Sequence, residues 1–115
     1  MNLDALEAEI RAISRDPVVQ GAANLLVAWK ESDATAEELA STIERYFGGM
    51  WVKSAQSHER AYSIWSTFRR QAIGGIGGMT MNERLYWFAL FQRWDSLRDE
   101  EDRLALYRKL HAAVA

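Results

Sequence analysis

The chain has no cysteine and only one proline among its 115 residues. The absence of cysteine excludes a disulfide framework, thiolate ligands for zinc or iron-sulfur clusters, and a thiol nucleophile. The two histidines, His58 and His111, lie too far apart to form a metal-ligand pair of the HExxH kind. Ser57 and Glu59 flank His58, but adjacent residues point in different directions on a helix and cannot form a catalytic relay. We therefore expect neither an enzyme activity nor a cofactor or metal site.

Long hydrophobic runs are also absent. No stretch approaches the roughly 20 uncharged apolar residues that a membrane-spanning helix requires. The N-terminal segment 1–7 is acidic and amphipathic, unlike a signal peptide. We therefore expect a cytoplasmic protein with no membrane partner. Because 115 residues can bury a core without disulfides or metals, we also expect one domain over residues 1–115.

Apolar residues recur at intervals of three and four along the chain, which predicts an all-α fold. Asp16-Pro17 indicates the start of a second helix, because proline suits the first helical position. Thr35-Ala36-Glu37-Glu38 matches a capping box, and Gly48-Gly49 is expected to end the third helix in a left-handed conformation. The expected inner faces of these three helices are Leu3, Leu6, Ile10 and Ile13; Val18, Ala22, Leu25, Leu26 and Trp29; and Leu39, Ile43 and Phe47.

The second half of the chain continues the helical pattern. Ser57 is a plausible cap for a fourth helix, and Thr80-Met81-Asn82-Glu83 is a second capping box. Between them, residues 74–78 predict a flexible connector, because this glycine cluster lacks the Gly-Lys-Ser/Thr of a P-loop and the basic residues of a KH loop. A last helix is expected to start between Asp95 and Asp99. The inner faces of the fourth and last helices should hold Ala61, Tyr62, Trp65, Phe68 and Ala72, and Leu104, Tyr107, Leu110 and Val114.

The segment Leu85-Tyr86-Trp87-Phe88-Ala89-Leu90-Phe91, which runs on to Trp94, is the most unusual one. At about 100° per residue, its large apolar groups would point in every direction on a helix. Such a helix must be covered on nearly all sides. We therefore predict a compact bundle of five to six helices around a central aromatic helix at about residues 81–95, in which Trp87→Ala or Phe91→Ala would cost about 3–5 kcal/mol.

Charge is unevenly distributed along the chain. Residues 1–47 hold nine acidic and four basic side chains, whereas residues 48–93 hold two acidic and six basic ones. Such a layout can steer a charged partner to one side of a protein. Alternatively, the two segments fold against each other and their charges neutralise.

These features favour a protein-protein interaction module. In the first hypothesis, it is an inhibitor or immunity-type protein that neutralises a basic partner through acidic residues and an aromatic anchor: Glu31, Asp33, Glu37, Glu38 and Glu44, with Tyr46 or Trp51. In the alternative, surplus aromatic surface forms a homo-oligomer, because aromatic residues are enriched at interfaces. Five Trp, four Tyr and four Phe are many for one small core.

Nucleic acid is a weaker candidate partner. Several residues could combine base stacking with phosphate contacts, namely Trp51, Lys53, Arg60, Arg69 and Arg70. The sequence pI of about 5.7 disfavours this function, because nucleic-acid-binding domains are usually strongly basic.

The stretch from Met79 to Tyr86, followed by Phe91-Gln92-Arg93-Trp94-Asp95 and a charged final helix, resembles the C-terminal part of certain small bacterial helical proteins. These proteins have a T-x-N-E-R-L-aromatic segment. The resemblance covers the last third of the chain. It implies a bacterial helical protein and assigns no function and no functional residue.

Overall fold

The computed structural model describes residues 1–51 and 53–112. This part of the chain is helical and contains no β-strand, so the predicted all-α class is confirmed. Its α-helices are α1 (Leu3–Ile13), α2 (Pro17–Glu31), α3 (Ala36–Gly49), α4 (Ala55–Phe68), α5 (Met81–Trp87), α6 (Phe91–Ser96) and α7 (Glu100–Lys109). The seven α-helices of the described residues exceed the predicted five to six, because the predicted aromatic helix is divided into α5 and α6.

Most helix starts agree with the sequence signals. The Asp16 carboxylate accepts a hydrogen bond from the Val18 amide, and both capping boxes are formed, Thr35 with Glu38 and Thr80 with Glu83. The cap of α4 was misassigned: Ser54 holds this position, and its Oγ accepts from the Ser57 amide at 3.2 Å. Ser57, the predicted cap, instead lies in the first turn of α4, where its backbone amide is the donor of this hydrogen bond.

The glycine predictions were partly wrong. Gly48 and Gly49 lie within α3, which ends at an extended Met50, and no glycine among the described residues has a positive φ. The predicted flexible connector is also partly helical, since α4 continues into a π-helical turn at Arg69–Ile73 and a 3-10 turn follows at Ile76–Gly78. A Cβ at Gly74 would lie 2.6 Å from the Arg70 carbonyl oxygen, so close backbone approach explains this glycine.

Most of the core lies among the first four helices, where α1 packs against α2 and α4, and α3 packs against α2. The inner face of α2 is rotated relative to the prediction, because Val19 and Ala23 are buried and Val18 and Leu25 are only half-buried. In α4, Ala61, Trp65 and Phe68 are buried as predicted, whereas Tyr62 is exposed. The largest fully buried side chains are Trp65, Phe68, Phe88 and Lys109.

The predicted central aromatic helix is wrong. The chain leaves the helical conformation at Phe88, and Ala89 has a φ of 56°. The Leu90 amide then donates to the Leu85 carbonyl at 2.9 Å, which is the left-handed ending usually made with glycine. The break buries Leu90 together with Leu85 and Phe88, whereas on a continuous helix Leu90 would point away from the other two. Two other aromatic side chains of this segment are left exposed, Tyr86 at 53% and Phe91 at 42% of their surface.

The last helix also differs from its prediction. Its start lies one residue beyond the expected limit, with Asp99 as the N-cap. Leu106, Lys109 and Leu110 are buried, whereas Leu104 and Tyr107 are half-buried. Val114 lies outside the described residues. Within the described ranges, no helix has the length and apolar character needed to cross a bilayer.

Ala89→Gly should stabilise the protein by about 0.5–1 kcal/mol. Alanine in the left-handed region brings its Cβ close to the carbonyl oxygen, and glycine removes this strain. The gain is partly offset because glycine raises the conformational entropy of the unfolded chain. The midpoint and slope of a urea titration measure the change. Gly77→Ala, at an open position with no positive φ, is a control for glycine flexibility alone. A destabilised Ala89→Gly variant would show that the alanine methyl contributes more by packing than its backbone strain costs.

Candidate functional site

The seven predicted partner-binding residues do not form one surface. Glu31, Asp33, Glu37 and Glu38 lie where α2 ends and α3 begins, and we call these four residues the acidic corner. Trp51 follows the other end of α3. Since α3 has 14 residues, about 20 Å separates the acidic corner from Trp51. Glu44 and Tyr46 lie between them.

All four side chains of the acidic corner are exposed. The Asp33 carboxylate accepts a hydrogen bond from Arg93 Nη2 at 3.1 Å, and Glu38 completes the capping box of α3. The backbone amide of Glu37 donates to His111 Nε2 at 3.4 Å, so the end of α7 lies beside this corner. The corner therefore presents carboxylates to solvent while its backbone is tied to the C-terminal helices.

Lys109 fixes the backbone of the acidic corner. Its side chain is fully buried, and its Nζ donates to three carbonyl oxygens, those of Trp29 at 2.5 Å, Ser32 at 2.7 Å and Ala34 at 3.0 Å. The same Nζ lies 3.7 Å from the centroid of the Trp29 ring, in a cation-π contact. All three donors of the ammonium group are thus used. We call these three carbonyls and the indole face the lysine cage.

A second cation reinforces the same end of α2. Arg93 Nη1 donates to the carbonyl oxygens of Lys30 at 2.6 Å and Ser32 at 3.0 Å. The carboxyl end of a helix carries partial negative charge, so two cations at this end stabilise α2. Burial is the main cause that lowers the pKa of Lys109 to about 7, the charge of Arg93 acts in the same direction, and Asp33 and Glu38 oppose the change.

Glu44 and Tyr46 have partners inside the molecule. The Glu44 carboxylate accepts from Tyr62 Oη at 2.9 Å and Trp65 Nε1 at 3.0 Å, and Arg69 lies 3.5 Å from it. Glu44 is therefore half-buried and paired within the molecule, in contrast to the exposed carboxylate that binding a basic partner would require. Tyr46 Oη donates to the Val18 carbonyl at 2.5 Å, which joins α3 to α2. Both residues therefore hold helices together, and neither presents a free recognition group.

Trp51 is the most exposed large apolar residue of the described chain, at 70% of its surface. It borders a shallow depression that Met50, Ala55, His58 and Glu59 also line. His58 contacts the Phe47 carbonyl at 3.2 Å through Nε2. This second surface has an aromatic anchor but lies at the opposite end of α3 from the acidic corner.

The residues considered for nucleic-acid binding are also separated. Trp51 and Lys53 precede α4, whereas Arg69 and Arg70 follow it, about 20 Å away along this 14-residue helix. Arg69 is paired with Glu44 at 3.5 Å. The fold therefore does not assemble these residues into one basic groove.

Two cations that were not predicted from the sequence, Lys109 and Arg93, organise the acidic corner. Lys109 stands between Leu106 and Leu110 at the three-four spacing of a buried stripe, which is a signal that it points inward. Arg93 gives no such signal, because its carbonyl partners lie about 60 residues away in the chain. Among residues 1–51 and 53–112, no group of histidine and carboxylate side chains is placed to hold a metal ion.

No protein-family model, no curated protein and no solved structure matches the chain.

Proposed function

We propose that the protein is a protein-protein interaction module that binds and neutralises a basic protein partner, as an inhibitor or immunity-type protein does. The acidic corner is the surface that we assign to this partner. The observation that carries the proposal is the lysine cage, because a fully buried ammonium group holds the backbone from which the four exposed carboxylates project.

Rigidity is what makes this corner suited to binding. A surface that is already ordered loses little conformational entropy when a partner docks. Three cage hydrogen bonds and two from Arg93 restrain the end of α2 and the segment that joins it to α3. Exposed charges at such a surface raise the association rate by steering a partner of opposite sign.

Reversing two carboxylates of the corner tests this assignment. In the double variant Glu31→Lys/Glu37→Lys, both altered side chains are exposed and neither makes an ion pair or side-chain hydrogen bond among the described residues. Thermal stability should therefore change little. Association with a partner captured by the unaltered protein should slow by about tenfold at low salt and less at 0.5 M salt.

The matched control is Glu9→Lys/Glu59→Lys, which makes the same change in net charge at two exposed positions outside the corner. Association rates from surface plasmon resonance at several salt concentrations compare the two variants. Equal rates for the corner variant and the unaltered protein, with both folded, would refute the assignment. Equal slowing in both variants would show that only net charge matters.

Self-association is a second candidate function, and the exposed aromatic residues beside the helix break favour it. Tyr86 and Phe91 present large apolar surfaces on α5 and α6, and Trp51 adds another elsewhere. Sedimentation velocity from about 1 to 500 μM distinguishes the two functions, since micromolar self-association would appear in this range. A dimer that Tyr86→Ser/Phe91→Ser dissociates would favour a homo-oligomer. A monomer throughout would leave the acidic corner as the stronger surface.

A further inference from the structure

An apolar groove runs between α2 and α3 and ends at the acidic corner. Its walls include Leu25 and Ala28 from α2 and Leu39 and Thr42 from α3, and the nearly buried Trp29 forms its floor. Along α2 it extends from Leu25 to Ser32, which is about 10 Å at the rise of an α-helix. The groove therefore has room for one or two side chains and is too short for a whole helix.

The side-chain polar groups of Trp29 and Ser32, two residues that line the groove, already have partners. The Trp29 indole N-H donates to the Thr35 carbonyl at 2.9 Å. Ser32 Oγ donates to the Trp29 carbonyl at 2.9 Å and accepts from the Ala34 amide at 3.2 Å. Because these donors and acceptors are occupied, the walls offer mainly carbon to a ligand, and an apolar side chain suits the groove best.

The floor of the groove is held in place. The Trp29 ring contacts the Phe88 ring at 5.4 Å between centroids and the Lys109 ammonium at 3.7 Å. A floor with a hydrogen bond, an aromatic contact and a cation-π contact is preformed, so a ligand need not order it.

Carboxylates border the groove. Glu31 lies three residues after Ala28, and Glu38 lies four residues before Thr42, so each shares a helix face with a wall residue. Arg45, three residues after Thr42, is the basic group on the same face of α3, and it lies a turn farther from the corner. Arg93 and Lys109 also reach this end of the groove, through the Ser32 and Ala34 carbonyls. The four carboxylates of the acidic corner outnumber these two cations, so this end is complementary to positive charge.

We infer that the α2–α3 groove receives one apolar side chain from a lysine- or arginine-rich segment of the protein partner. This inference rests on the proposed function and adds what the partner must present: an apolar residue flanked by basic ones. The carboxylates steer and orient the segment, and burial of the apolar side chain distinguishes it from other basic segments.

Two synthetic peptides of equal charge test the inference without the partner. Each has two lysines at both ends and a three-residue centre, which is Ala-Leu-Ala in one and Ala-Ser-Ala in the other. Titration into the isotopically labelled protein is followed through the Trp29 indole N-H and backbone amide resonances. Burial of a leucine side chain should make the leucine peptide bind about tenfold more tightly or better.

Filling the groove provides matched variants. Ala28 and Val27 are adjacent and exposed on α2, but only Ala28 lines the groove. Ala28→Phe should abolish the preference for leucine, while Val27→Phe should retain it. Thr42→Phe fills the groove from α3 and gives a second variant if Ala28→Phe unfolds.

The outcomes separate this inference from the proposed function. Equal binding of both peptides would overturn the groove assignment, as would binding of neither, while the Glu31→Lys/Glu37→Lys experiment decides independently whether the corner binds a partner. A concentration-dependent dimer that Ala28→Phe dissociates would assign the groove to a second copy of the chain and would also overturn the inference.

Discussion

Phe88→Ala should destabilise the protein by about 3–5 kcal/mol, the usual range for emptying a buried aromatic site. Phe88 is fully buried, and its ring lies 5.8 Å from that of Phe68 and 5.4 Å from that of Trp29. Phe88 therefore joins the C-terminal helices to the core formed by α1 to α4. A loss of this size threatens folding itself, because small domains are stable by only about 5–15 kcal/mol. Urea titration followed by circular dichroism measures the change.

Phe91→Ala is the matched control for this experiment. This variant also removes a phenylalanine side chain, three residues farther along the chain. Unlike Phe88, however, Phe91 is 42% exposed and lies after the helix break. Its removal should change the free energy of unfolding by about 1 kcal/mol or less. Similar losses in both variants would contradict the helix break, because a continuous aromatic helix at the centre of the bundle would bury both rings.

Lys109→Met should destabilise the protein by about 1–3 kcal/mol near pH 7. Methionine fills a similar volume and removes a buried charge, but it leaves the lysine cage without its donors. The Ala34 carbonyl then has no other hydrogen-bond donor among the described contacts, whereas the Trp29 and Ser32 carbonyls keep partners. The acidic corner should also loosen, which faster hydrogen exchange at the start of α3 would report.

The loss in Lys109→Met should grow with pH between about 7 and 10. The pKa of Lys109 is lowered from 10.5 to about 7 in the folded protein, so the folded chain binds fewer protons than the unfolded chain in this interval. Its free energy of unfolding therefore rises with pH, by at most about 1.4 kcal/mol per pH unit from this one group, and methionine removes the increase.

Measurements should stop near pH 10, because the pKa values of Tyr46 and Tyr62 are raised and their ionisation favours the unfolded chain above it. Burial is the main cause for Tyr46, and the hydrogen bond to Glu44 is the main cause for Tyr62. Lys53→Met, at an exposed lysine, is the control. If Lys109→Met and the parent keep a constant difference in stability from pH 7 to 10, the ammonium is not held in a desolvated cage.

Helix starts were predictable because their signals are local. A capping box needs a hydroxyl and a carboxylate three residues apart, and both boxes are present as the sequence indicated. The helix break at Ala89 was not predictable in this way. Alanine normally favours a helix interior, and here tertiary packing selects a left-handed conformation that buries Leu85, Phe88 and Leu90 together.

The candidate site was predicted less well than the fold. The exposure of Glu37 follows from its position opposite the apolar stripe of α3, and Asp33 lies in the segment before that helix. No sequence signal links Glu44 to its partners. Its carboxylate meets Tyr62 and Trp65 on another helix, and that contact depends on how α3 and α4 dock.

By itself, the sequence determined the helical class, the starts of α2, α3 and α5, and the acidic character of the α2–α3 corner, because periodicity, capping and local charge depend on a few neighbouring residues. Only the tertiary structure decided which surface these carboxylates form and which side chains hold its backbone in place. Lys109 meets the carbonyls of Trp29, Ser32 and Ala34 across 75 to 80 residues of chain. Backbone carbonyls occur at every residue, so the sequence does not mark which of them an ammonium group will bind. That choice is fixed only when α7 packs against the end of α2.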